Sequence, residues 1–109
     1  MARPKTKATP LVPDINPRIP FKFLRPRDRL ALLGENKTSD YRKRKEGLLP
    51  EMVELGPRTK GTPDYEIEIV QCARLAGAND AEMRELVKAI HAARTKLDWR
   101  TMFSTTEVA

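Results

Sequence analysis

Arg42, Lys43, Arg44 and Lys45 stand in an unbroken row within "SDYRKRKEG". Guanidinium and ammonium groups crowded in this way donate to phosphate oxygens, and an arginine fork can also pair with a guanine edge. A second, smaller cationic group, Arg58 and Lys60, lies in "ELGPRTKG". A basic run by itself is ordinarily a solvated face. It becomes a binding surface only if the fold brings such groups to one side. The catalytic alternatives are thin. His91 is the only histidine and Cys72 the only cysteine, and no serine, cysteine or carboxylate cluster lies near His91 in sequence. His91 is expected to be a partly packed helix residue, and Cys72 a small hydrophobe. One Cys and one His make no zinc site without many carboxylates, and no glycine loop of the phosphate-cradling kind is present. No enzyme activity, metal or cofactor is expected.

The charge along the chain supports the binding reading. Over 109 residues, 21 Lys and Arg face 15 Asp and Glu. Residues 1–61 hold 15 of the cations and 7 of the anions, a charge of +8, whereas residues 62–109 hold 6 and 8, a charge of −2. An excess concentrated in one region is the footprint of a polyanion binder. A membrane partner is not expected. No apolar stretch is long enough to span, and the basic segments lack the aromatic face of an interfacial helix. With no apolar leader segment and a lone cysteine, the expected location is cytoplasmic, at the nucleoid.

The elements that must position these cations can be read from their punctuation. Five prolines at positions 4, 10, 13, 17 and 20 interrupt residues 1–20, which read as an extended basic arm. Pro26 suits a first helical position and Gly34 a left-handed stop, giving a helix over 26–33 with Leu30, Leu32 and Leu33 as its apolar face. Asn36 caps a second helix, with Ser39 three residues on, and Gly47 closes it. The two helices are joined by a three-residue turn, so they form a helix-turn-helix candidate. Met52, Val53 and Leu55 suggest a strand, and "GPRTKG" a turn, hence a hairpin with a basic tip. Thr62 is expected to cap a third helix with Pro63 as its first residue. Ile67, Val70 and Leu75 are its apolar side, up to Gly77. Asn79 with Glu82 reads as a capping box for a fourth helix, along which Met83, Leu86, Val87, Ile90 and Leu97 recur.

Across "FLRPRDRLALLG", "YRKRKEGLLPEMVELGPRTKG" and "EIEIVQCARLAG", roughly half the chain, the sequence resembles the AlpA family of phage and prophage regulators. These are MerR-like winged helix-turn-helix proteins that act as transcription regulators or excisionases. The resemblance implies a winged helix-turn-helix with a short hairpin wing over 21–77; with the arm over 1–20 and the extra C-terminal helix and tail over 78–109, which the residues give and which lie beyond the family's core, the expected fold is mainly α. It also implies that Thr38, Tyr41, Arg42 and Lys45 face DNA, all within about 100 degrees around the helix. The chain departs from the family at Asp40, Lys43 and Arg44, where apolar residues are common, so the second helix is expected to be poorly anchored. Thr62 and Val70 replace tryptophans, and Glu51 and Glu54 stand where basic residues are frequent. A reading of the residues alone, with Tyr41 as the buried one, turns Ser39 and Lys43 outward instead. Asp40 and Arg44 could pair at i,i+4 on a shielded edge, which favours the first phase.

The candidate DNA contacts are therefore Lys37, Thr38, Ser39, Tyr41, Arg42, Lys43, Lys45, Arg58 and Lys60. Trp99, Met102 and Phe103 have the i, i+3, i+4 spacing of an apolar patch for a second subunit or another protein, or alternatively cover an open side of a small core. Three functions stay open. One is a sequence-specific transcription regulator of a phage or mobile element, and another is an excisionase assisting an integrase. The third is a factor that boards RNA polymerase at a DNA site and modifies elongation, with the Pro-rich basic arm and the acidic C-terminal half as its contacts. Double-stranded DNA is the expected partner in each, and specificity on a short site asks for a homodimer, tandem sites or a protein partner.

Overall fold

A computed structural model describes Ile15 and residues 18–100. The order is β1 (Phe23–Leu24), α1 (Pro26–Leu33), α2 (Lys37–Lys45), β2 (Val53–Gly56), β3 (Thr59–Pro63), α3 (Asp64–Leu75) and α4 (Asp80–Thr95). The described residues form a mainly helical body of four helices on a three-stranded antiparallel sheet. Helix boundaries follow the punctuation closely. Pro26 opens α1, and Gly34 ends it at φ 68°, with the Glu35 N–H reaching the Leu30 carbonyl at 3.1 Å. At the head of α2 the Asn36 side chain accepts from the Ser39 N–H at 2.8 Å, and the Ser39 Oγ accepts from the Asn36 N–H at 3.1 Å. Asn79 and Glu82 form the same reciprocal cap on α4, at 2.8 and 2.9 Å.

The sheet order is β1-β3-β2, so the hairpin strand β3 is central. Phe23 pairs with Pro63 and Leu24 with Thr62 on one side of it, while Val53 pairs with Gly61 and Glu54 with Lys60 on the other. The sequence reading contains no β1, because two residues are too short for a periodicity signal. That strand also overturns the start expected for the third helix. Thr62 does not cap it, and Pro63 is the residue before its first turn rather than in it. Both complete β3, the ladder being prolonged by the Asp64 N–H to the Lys22 carbonyl at 2.9 Å. Three strands meet at Gly61. A Cβ there would lie 2.9 Å from Leu55 Cδ1, 3.1 Å from Phe23 Cβ and 3.3 Å from the Leu24 carbonyl oxygen.

The core lies between α3, α4 and the segment after α2: Leu48, Leu49, Val70, Met83, Leu86, Ala89, Ile90 and Ala93. Ile15 is buried in the same cluster, and Arg18 pairs with Glu68 and lies over the Tyr65 ring, so the folded body reaches back before residue 21. Two expected apolar faces are narrower than their leucines suggested. Leu75 is 89% exposed at the end of α3, and Leu97 lies past the end of α4. Leu32 is half exposed as well, so α1 leans inward on Leu30 and Leu33. Burial on α3 is carried by Tyr65, Glu66, Ile67 and Val70. Among the described residues, no helix is long and apolar enough to cross a membrane.

Candidate nucleic-acid interface

Helix α2 has a single buried residue, and it is an acid. Asp40 is 2% exposed, and the fully buried Arg29 of α1 donates to its Oδ1 from Nη2 at 2.9 Å and from Nε at 3.2 Å. Arg44, one turn on, donates to Oδ2 at 3.2 Å, the i,i+4 pair foreseen from the sequence. The remaining Arg29 nitrogen, Nη1, donates to the Thr62 hydroxyl of β3 at 2.9 Å. Burial disfavours the charged guanidinium and lowers the Arg29 pKa, while the Asp40 carboxylate beside it pulls the other way.

This clamp fixes the rotation of α2. Asp40 and Arg44 face inward, and Lys37, Thr38, Tyr41, Arg42 and Lys45 are exposed on the outer side, Tyr41 at 55%. The alternative rotation, with Tyr41 buried, is not the one adopted, because a phenol in place of Asp40 would strand the Arg29 charge. The expectation of a poorly anchored second helix is also overturned: polar contacts anchor it where apolar ones are missing. Arg44 and Lys45 lie over the Tyr41 ring at 5.7 and 5.6 Å from its centroid. Among the described residues, Lys37, Arg42 and Lys45 enter no salt bridge.

Two of the sequence candidates are occupied within the protein. The Ser39 hydroxyl belongs to the cap and donates to Glu35 Oε1 at 2.6 Å, and Lys43 Nζ donates to Glu35 Oε2 at 2.6 Å. These bonds, Lys43 first and Ser39 second, hold the Glu35 carboxyl below its ordinary range. Neither residue is free to read a base without giving up Glu35.

The hairpin carries the other cations. Its tip is Pro57-Arg58, with Arg58 exposed and left-handed at φ 60°, and the Thr59 hydroxyl donates back to the Pro57 carbonyl at 3.2 Å. Lys60 is exposed on β3, opposite Glu54 in register.

Behind the hairpin, Glu51 is gripped from three sides. Its N–H donates to His91 Nε2 at 3.0 Å, its carbonyl accepts from Arg94 Nη2 at 2.7 Å, and its Oε1 accepts from Arg44 at 3.3 Å. Arg94 is held in turn by the buried Glu66 at 2.6 and 2.9 Å. His91 is thus a half-buried acceptor. Burial first, and Arg94 second, lower its pKa. Cys72 is on α3 but exposed, not packed as a small hydrophobe. Among the described residues, no group of three His, Cys, Asp or Glu could hold a metal.

Of the partner candidates, Trp99 is 62% exposed with the Arg100 guanidinium 4.7 Å from its ring centroid, while Met102 and Phe103 lie outside the described residues. So does most of the expected arm, residues 1–14. Sequence reasoning missed Arg29 and Glu35. The signal for Arg29 was an inward phase, four residues before Leu33 on the same helix, facing a following helix whose own inward phase held an acid. No family model, curated protein or solved structure matches the chain.

Proposed function

We propose that the protein binds duplex DNA as a winged helix-turn-helix transcription regulator, with α2 in the major groove and the β2–β3 hairpin on the neighbouring backbone. The observation that carries this reading is the outward face of α2, where Thr38, Tyr41, Arg42 and Lys45 are exposed together and Asp40 is turned away. A helix with one face of exposed cations and an aromatic ring suits a groove lined by acceptors and thymine methyl groups. Arg58 and Lys60 at the hairpin end suit phosphates. The resemblance to the AlpA regulators supports placing the protein in a phage or mobile element. The charge of +8 over residues 1–61 supports affinity for a polyanion.

The test is a titration of duplex DNA over a range of salt, followed by a map of the genomic sites occupied. With roughly 5 phosphates contacted, log K against log salt should fall with a slope of about −4 to −5. Sites next to promoters support regulation, and sites flanking an integration junction transfer the reading to an excisionase. Absence of binding, or affinity indifferent to salt, rejects it.

A further inference from the structure

We infer that Arg29, which touches no solvent, is the positioning residue of this interface: it makes α2 and the hairpin one rigid reading unit. The inference rests on the DNA-binding reading above and adds what holds its two parts in register.

An apolar seat tolerates sliding and rotation, because dispersion and burial have little direction. A planar guanidinium fork does not. Since α2 buries no apolar residue, its rotation is set by Arg29 Nε and Nη2 on Asp40. The same guanidinium reaches β3 through Nη1 on Thr62, two residues from Lys60. The two surfaces proposed to touch DNA, the outer face of α2 and the hairpin end, are therefore joined inside the protein through one side chain. Arg29, Asp40 and Thr62 are each no more than 2% exposed, and among the described residues no buried side-chain nitrogen or oxygen lacks a partner, so the junction is closed and complete. Helix and hairpin must meet one duplex at a fixed spacing, and small errors of orientation at such a site cost disproportionately.

A matched pair of substitutions at Thr62 separates positioning from packing. Thr62→Val keeps the shape and removes the hydroxyl, and Thr62→Ser keeps the hydroxyl and removes the methyl. Two readouts are made on each full-length protein: residual dipolar couplings of the α2 and hairpin amides without DNA, and the affinity ratio for the preferred site over unrelated DNA. Thr62→Val should change the orientation of the hairpin relative to α2 and lower the site preference about tenfold, the equivalent of one hydrogen bond to a charged group. Thr62→Ser should match the wild type in both, though its melting temperature falls with the lost methyl. Arg29→Lys, which keeps the charge without the fork, should behave as Thr62→Val does. The inference is overturned if Thr62→Val keeps the wild-type orientation and preference, or if Thr62→Ser loses them equally. Should the wild type bind no DNA, the function proposed above fails, while the dipolar couplings still decide whether Arg29 sets the orientation.

Discussion

Arg42 and Lys43 are neighbours in sequence with opposite circumstances. Arg42 is exposed beside Tyr41, whereas Lys43 is bonded to Glu35. Arg42→Ala should therefore cost about 1 to 3 kcal/mol at the preferred site and relax its base preference. Lys43→Ala should leave base preference intact, and the lost pair with Glu35 should cost at most about 1 kcal/mol of stability. Lys60→Ala should weaken all sequences alike and reduce the salt slope by about 1, as a phosphate contact does. Competition binding with each base of the site varied in turn checks all three. A change of base preference in the Lys43 variant with none in the Arg42 variant would contradict the assigned face.

At the scale of the element, the hairpin depends on a residue with no side chain. Gly61 sits where β3 passes between β1 and β2, and a Cβ would meet Leu55, Phe23 and the Leu24 backbone at 2.9 to 3.3 Å. The Leu24 carbonyl cannot move without disturbing its pairing with Thr62. Gly61→Ala is expected to destabilise the protein by about 1 to 3 kcal/mol, as overpacking does. In a domain of this size that lowers the melting temperature by at least about 4 °C. Calorimetry checks it, and an unchanged melting temperature would mean that the three strands do not converge there. In the sequence Gly61 shows only as the end of the "GPRTKG" turn. Two of its three close neighbours, Phe23 and Leu24, come from β1, which no periodicity announced.

For the molecule as a whole, the acceptor role of His91 makes stability depend on pH. Its Nε2 accepts the Glu51 N–H, so the folded state favours the neutral imidazole, and burial together with Arg94 lowers its pKa below that of the unfolded chain. Just below about pH 6.5, where an unperturbed histidine titrates, the unfolded chain binds more protons than the folded one. The contribution is therefore whole above that pH and is lost as pH falls toward the folded pKa. His91→Gln keeps an acceptor and does not titrate. A plot of melting temperature against pH should thus slope less for the variant than for the wild type over that window. Parallel curves would exclude His91 as the source. The Glu35 carboxyl, also lowered, adds its own loss only in more acidic solution.

What is local was legible in the residues alone. Pro26, Gly34, Asn36 with Ser39, Gly47 and Asn79 with Glu82 bounded the helices, because caps and stops act on backbone groups within a few residues. The cations and the turn of the hairpin were legible there too. Tertiary structure decided which way α2 faces, since nine residues with a single aromatic carry no apolar phase, and the choice passed to Arg29, 11 positions away from Asp40 in the chain. It decided that Thr62 is a buried partner rather than a cap, because β1 pairs with it. It decided that Leu75 is exposed and Ile15 buried, since burial is settled by which element arrives opposite a side chain, and hydrophobicity supplies only the tendency.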